Sequence, residues 1–328
     1  MKTVVLTADA HAIAQAAAVL RGGSLVAFPT ETVYGLGASA VSAEAVARIF
    51  AAKGRPTHNP LIVHVATVAD AAAMAAPWPA AAQALADRYW PGPLTLVVSR
   101  SPRAIDLVTA GGPTVALRMP AHPVAVAVLQ ASGVPLAAPS ANRSSALSPT
   151  RAEHVLAGLD GRIPLVLDGG PTPGGIESTV LDVTTSPPRI LRPGPVTPSQ
   201  IEAVVGAIDL APATPSGQPL RSPGLLPRHY APQTPLETCT DDGRRRVLQL
   251  QAAGLNVGWL TFGELSSQPP DTVTLAMPTE PTAYAAQLYT ALHALDASKV
   301  DRILVALPPG GEQWLAVHDR LRRAASAD

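Results

Sequence analysis

The sequence predicts an α/β protein: a twisted mixed sheet with helices, then a proline-rich linker, then a small Rossmann-like α/β domain. Three observations carry this expectation. Short apolar runs of strand length alternate with amphipathic runs of helix length up to about residue 206. Strands outnumber helices there, which favours a mixed sheet over a purely parallel one. Prolines at 212, 215, 219, 223, 227, 232 and 235 then exclude regular structure, and a simpler strand–helix rhythm follows. The expected domains are 1–206, a linker or lid at 207–235, and 236–328.

The elements follow in order. Met1 to Leu6 leads into a helix over Asp9–Arg21, which Gly22-Gly23 ends. Ser24–Phe28 reads as a buried strand. The next ten positions, Phe28-Pro29-Thr30-Glu31-Thr32-Val33-Tyr34-Gly35-Leu36-Gly37, read as a polar, glycine-rich turn at the strand's end, where α/β proteins place ligands. A helix over Ser42–Ala52 has a serine N-cap and Glu44 in its first turn. Strands are expected at Leu61–Val65, Leu94–Val98, Val115–Met119, Pro135–Ala138, Pro164–Leu167 and Thr179–Val183. Helices are expected at Ala80–Tyr89, Pro123–Gln130 and Arg151–Gly158. Beyond the linker come strands at Val257–Thr261, Thr272–Ala276 and Arg302–Ala306, with helices at Thr282–Leu295 and Glu312–Ala325.

Composition narrows the function classes. The 328 residues are 47% hydrophobic and 15% charged, as expected of a folded chain. A net charge of zero and 4% aromatic content argue against a nucleic-acid-binding module. The single cysteine, Cys239, excludes an intramolecular disulfide and a cysteine metal cluster. No apolar run reaches membrane-span length and no signal-peptide pattern opens the chain, so a cytoplasmic protein with no membrane partner is expected. Gly35-Leu36-Gly37-Ala38-Ser39-Ala40 matches a loose dinucleotide fingerprint. It lies too far from Phe28, and Lys53, Arg55 and His58 stand where an acidic residue is required.

Several groups carry potential chemistry. Lys53-Gly54-Arg55 at a helix end can clamp an anion or simply complement the helix dipole. Arg118, inside an apolar strand, needs a carboxylate or phosphate partner. His64, likewise on a strand, reads most simply as a satisfied core histidine. Pro139-Ser140-Ala141-Asn142, with Ser144, Ser145 and Ser148 beyond, can form an anion-binding concavity. Gly174-Gly175-Ile176-Glu177-Ser178-Thr179 forms a second glycine-rich loop, and Arg192-Pro193-Gly194 closes the region. No Ser-His-Asp or Cys-His arrangement stands out, which suits a site that positions reactants and neutralises phosphate charge.

Those motifs, in that order, resemble the YrdC-like threonylcarbamoyl-AMP synthase family. Ser222-Pro223-Gly224 and Arg228-His229-Tyr230-Ala231-Pro232 resemble its long form, which has an extra C-terminal domain. The resemblance covers essentially the whole chain. It implies a nucleotidyltransferase that condenses L-threonine, bicarbonate (or carbon dioxide) and ATP into threonylcarbamoyl-AMP and pyrophosphate, with Mg2+ bridging phosphates and no metal ligand assigned to protein side chains. A downstream threonylcarbamoyl transferase complex would use the product to modify tRNA, and a weak tRNA contact belongs with the implied partners. A related carbamoyl transfer, as in hydrogenase maturation, is disfavoured by the missing zinc-finger cysteines. By resemblance, Thr32, His64, Arg118, Ala138 and Ser178 line the threonine pocket. Lys53, Arg55, Asn59, Thr114, Ser140, Asn142, Ser148, Arg192 and Tyr230 meet the nucleotide, with Lys53, Arg55, Ser140 and Asn142 closest to catalysis and Tyr230 covering the ATP site as a lid. Two departures stand out: Ser145 where the family often has glycine, and an apolar Leu225-Leu226-Pro227.

Overall fold

The computed structural model describes residues 2–210, 229–265 and 267–326. The linker stretch 211–228, with Ser222-Pro223-Gly224, Leu225-Leu226-Pro227 and Arg228, lies outside the described residues. The chain divides into two compact units: one from the stretches 1–144, 149–173 and 177–225, the other from 145–148, 174–176 and 226–328.

In the first unit the strands are β1 (Val4–Thr7), β2 (Val26–Pro29), β3 (Tyr34–Ser39), β4 (Ile62–His64), β5 (Leu94–Ser99), β6 (Thr114–Arg118), β7 (Leu136–Ala137), β8 (Leu165–Asp168), β9 (Thr179–Asp182), β10 (Arg189–Arg192) and β11 (Asp209–Leu210). They form one sheet in the order β1-β8-β2-β3-β7-β4-β6-β5-β9-β10-β11, with parallel and antiparallel pairs mixed. The helices are α1 (Ala10–Arg21), α2 (Ala43–Lys53), α3 (Val68–Met74), α4 (Ala80–Tyr89), α5 (Asp106–Thr109), α6 (Pro123–Ser132), α7 (Ala152–Leu159) and α8 (Pro198–Val205). Alternation along β2 shows how both faces are covered. Val26 and Phe28 pack with Leu20 of α1 and Val128 of α6, while Ala27 faces the opposite layer with Ile49 of α2 and Val155 of α7.

The expected mixed sheet is present, and the long apolar runs form the expected elements. The segment around Gly35 and Gly37 differs: it is strand β3, paired antiparallel with β2, and only positions 30–33 turn. Within the strand position 37 is glycine because a Cβ there would fall 2.6 Å from the Phe28 ring. Strand β1 was not expected either. It is a short, largely exposed edge strand that pairs with β8, far away in sequence. The helix boundaries were legible: Asp9 and Ser42 accept hydrogen bonds from the Ala12 and Ala45 amides, and Gly54 ends α2 in the left-handed region at φ +63°.

The second unit contains a parallel sheet of β12 (Leu236–Cys239), β13 (Val257–Phe262), β14 (Thr272–Met277) and β15 (Arg302–Ala306), in the order β12-β15-β13-β14. Its helices are α9 (Arg244–Ala252), α10 (Pro281–Ala297) and α11 (Leu315–Ala325). A short 3-10 turn, Glu312–Trp314, precedes α11, so the helix expected from Glu312 is not α-helical until Leu315. Strand β12 and helix α9 were not anticipated.

Candidate active site

The tight turn between β2 and β3 is knotted by hydroxyls. Thr30 Oγ1 donates to the Val33 carbonyl at 2.7 Å and accepts from the Thr32 and Val33 amides, which satisfies the turn internally. Glu31 and Thr32 are thereby turned toward Arg118 at the end of β6. Arg118 donates from Nη1 to Thr32 Oγ1 at 3.0 Å and from Nε to the Gly92 carbonyl at 3.3 Å. Its Nη2 lies 2.7 Å from Glu31 Oε1, an ion pair out of hydrogen-bond alignment. The other Glu31 oxygen accepts from the Ala121 amide at 3.0 Å. Burial pushes the Glu31 carboxyl up, but the Arg118 charge beside it, with the backbone amides, outweighs it and holds the group below its ordinary value.

His64 ends β4 directly opposite Arg118 in the parallel register. It is buried, and neither ring nitrogen has a hydrogen-bond partner among the described residues. This corrects the reading of a satisfied core histidine. Burial, followed by the Arg118 charge, pushes its pKa well below the ordinary value, so the ring is neutral and offers one donor and one acceptor. Ala138 follows β7, donating its amide to the Ile62 carbonyl at 3.0 Å, and so lies on this same corner.

A second corner forms at the end of α2. Lys53 is 2% exposed, and its ammonium donates to the carbonyls of Ser140 and Asn142, both at 2.6 Å, and to Asn142 Oδ1 at 3.2 Å. All three of its donors are thus used on the 140–142 loop. That loop is also tied to β3: Leu36 donates to the Pro139 carbonyl and Ala141 to that of Tyr34. Ser140 Oγ donates to Asn142 Oδ1 at 2.6 Å. Arg55 donates to the carbonyls of Asn59 and Pro60 and to Asn59 Oδ1, while Asn59 Nδ2 is buried with no partner among the described residues. Arg143 completes the cluster, with Nη1 on the Ala52 carbonyl at 3.3 Å. Burial, then Arg55 and Arg143, push the Lys53 ammonium well below its ordinary pKa. No carboxylate among the described residues pairs with Lys53 or Arg143.

A third cluster joins β5, β9 and β10. Arg192 donates to the Ser178 carbonyl from Nε at 3.1 Å and Nη2 at 2.9 Å, and to Ser178 Oγ at 3.1 Å. Ser178 Oγ also lies 2.8 Å from Thr95 Oγ1. Thr114 begins β6, opposite Ser99, on the strand that ends at Arg118. Ser148 and Tyr230 belong to the second unit. There Tyr230 is buried at φ +60°, its ring 4.0 Å from that of His229 and beneath the Arg320 guanidinium at 5.1 Å.

The sequence reading missed Glu31, Thr95 and Arg143. Glu31 could have been found, since a buried arginine was expected to need a carboxylate and Glu31 stood in the motif already singled out. Arg143 directly follows Asn142, and that adjacency is its sequence signal. Thr95 gave no sequence signal. Among the described residues no three His, Cys, Asp or Glu side chains stand together as a metal site.

Residues 18–194 match the family model described as "Telomere recombination", and residues 196–326 match "Threonylcarbamoyl-AMP synthase, C-terminal domain". Threonylcarbamoyl-AMP synthase of Bacillus subtilis (strain 168) is 47% identical over 321 residues, covering 95% of this chain and 92% of that protein. The chain belongs to the threonylcarbamoyl-AMP synthase family. The family member from Pyrococcus abyssi is 44% identical over 94% of this chain and 93% of its own length. A crystal structure of P. abyssi Sua5 complexed with L-threonine aligns at TM-score 0.92 and 41% identity, covering 98% of both chains. The YrdC-like fold and its second domain are therefore those of an enzyme family, and no described helix is long and apolar enough to cross a membrane.

Proposed function

We propose that this protein is an L-threonylcarbamoyladenylate synthase, a nucleotidyltransferase that converts L-threonine, bicarbonate and ATP into threonylcarbamoyl-AMP, pyrophosphate and water. The observation that carries the reading is the division of charge between two adjoining corners. One holds an arginine already balanced by Glu31 beside a neutral histidine with open valences. The other gathers Lys53, Arg55 and Arg143 around a loop of hydroxyl and amide groups. A zwitterionic amino acid suits the first and a polyphosphate the second.

In this reading Arg118 and Thr32 receive the threonine carboxylate, and the His64 ring takes its hydroxyl as donor and acceptor. Ser178, fixed by Thr95 and Arg192, and Ala138 wall the pocket. The threonine nitrogen forms a C–N bond to bicarbonate with loss of water. A carbamate oxygen then attacks the α-phosphorus, and the bond to pyrophosphate breaks. Arg55, Asn59, Ser140, Asn142 and Arg192 orient the nucleotide, with Thr114, Ser148 and Tyr230 as further contacts, while Lys53 shapes the loop beneath. Such a reaction needs orientation and charge stabilisation rather than a covalent enzyme intermediate. Mg2+ carried by the nucleotide would supply charge neutralisation to the leaving pyrophosphate. The product is a reactive mixed anhydride, so an acyl-transferring enzyme acting on tRNA must consume it.

Pyrophosphate release, measured with each substrate omitted in turn, tests the reading. Release should require threonine, bicarbonate, ATP and a divalent ion together, and mass spectrometry should detect the adenylate. Discrimination against serine should be modest, about 1–3 kcal/mol for one methyl group. Release without any amino acid would refute the assignment.

A further inference from the structure

The second unit includes two short stretches distant from it in sequence, 145–148 and 174–176. Helix α10 holds both. The His293 ring N–H donates to the Ser148 carbonyl at 3.2 Å. Burial keeps that ring neutral, against the opposing pull of the Ser148 hydrogen bond and of Asp296, so Nε2 can serve as the donor. The same stretch is gripped at its start, where the Ala231 amide donates to the Ser145 carbonyl at 3.0 Å.

The other stretch lies against the helix backbone itself. A Cβ on Gly175 would fall 2.4 Å from the Ala285 carbonyl oxygen and 2.5 Å from Ala286 Cα, so no side chain fits. Its φ of +70° independently demands glycine. Neither contact is needed to build α10. Its N-terminus is capped by Glu280, which accepts from the Thr282 and Ala283 amides, and its core face buries Tyr284, Leu288, Leu292 and Leu295. Ser148 lies within one gripped stretch, and Ser178 follows the other by two residues.

We propose that α10 is a positioning element for two stretches of the chain: His293 fixes the backbone of Ser148, assigned above to the nucleotide, and the Ala285–Ala286 step fixes the 174–176 loop, two residues before Ser178. This inference rests on the assignments of Ser148 and Ser178 under the proposed function. His293 and Gly175 are positioning residues, not catalytic ones, and the C-terminal domain thereby acquires a role in the reaction.

His293→Ala, His293→Gln and Gly175→Ala in the full-length protein test it, with steady-state kinetics beside hydrogen–deuterium exchange. His293→Ala should raise the KM for ATP about fivefold or more and leave that for threonine unchanged, as small displacements of binding groups do. Deuterium uptake over 145–148 should rise in parallel, and His293→Gln, which keeps an N–H donor, should restore both. Gly175→Ala should instead raise the threonine KM and the uptake over 174–178. The proposal is overturned by unchanged uptake in these stretches, by an unchanged KM for ATP in His293→Ala, or by equal defects in the Ala and Gln variants. If the wild-type protein made no adenylate, the reaction assignment would fail, while the exchange data would still decide whether α10 holds the loops.

Discussion

The corner around Arg118 and the corner around Lys53 are both buried and both cationic, yet they handle charge in opposite ways. Arg118 is paired within the fold, with Glu31 at 2.7 Å, Thr32 and the Gly92 carbonyl completing its coordination. Among the described residues Lys53 has only neutral oxygens as partners, and Arg55 and Arg143 raise the local positive potential further. A buried cation without a counter-ion is costly, and such strain is tolerated where a ligand supplies the missing charge. Under the proposed function the difference assigns the reactants: a net-neutral molecule to the self-balanced corner, and an anion to the other.

The largest expected effect comes from breaking the balanced corner. Arg118→Ala leaves Glu31 buried without its partner and should cost about 3–5 kcal/mol of stability, seen as a large drop in Tm. The double change Glu31→Gln with Arg118→Gln should recover most of that stability without recovering threonine binding. Near-normal stability in Arg118→Ala would show that Glu31 is balanced from elsewhere. On the other corner, Lys53→Met removes the donor that holds three loop oxygens. Turnover should fall about a hundredfold. Full activity with only a lowered Tm would make Lys53 a simple helix-end residue.

Acid titration sharpens the same contrast at a smaller scale. The Glu31 pKa is lower folded than unfolded, so the pair's contribution is fully present above the unfolded value. It is lost as the pH falls through the folded value. The Tm of the wild-type protein should therefore decline over that acidic window, and Glu31→Gln should flatten this part of the profile. An identical slope in the variant would exclude Glu31 as the group responsible.

The smallest expected effect concerns Ser145. It lies at φ +65°, in the left-handed region, at the position where the sequence departs from the family's frequent glycine. The strain there is about 1–2 kcal/mol for an L-residue, part of which glycine's greater freedom when unfolded offsets. Ser145→Gly should thus stabilise the protein by about 0.5 kcal/mol, measured by denaturant unfolding. Destabilisation would show that the serine side chain contributes more than the strain costs.

These cases also mark what the sequence made legible. Long apolar runs and caps such as Ser42 or Asp9 act locally, so the longer helices and central strands could be read directly, whereas α3, α5, α8 and α9 were not expected. Strand β1 could not, because it is specified by pairing with β8 rather than by its own residues. Glycines in β3 read as a turn because the reason for Gly37, the ring of Phe28, is on the neighbouring strand. Arg118 announced itself as a cation inside an apolar run. Its need for a carboxylate was legible too, and Glu31 stood within reach in a motif already singled out; the open valences of His64 and the placing of Thr95 on Ser178 are properties of three-dimensional contact that the fold supplies.

The most direct test is a paired calorimetric titration of threonine and ATP into two variants, the Glu31→Gln/Arg118→Gln double and Arg143→Ala. The division of labour between the corners requires a crossed result. The double variant should lose threonine binding and keep ATP affinity within about threefold, while Arg143→Ala should weaken ATP about tenfold, on the scale of a charge-assisted contact, and leave threonine unchanged. Loss of both ligands in both variants, or of threonine in Arg143→Ala, would contradict it.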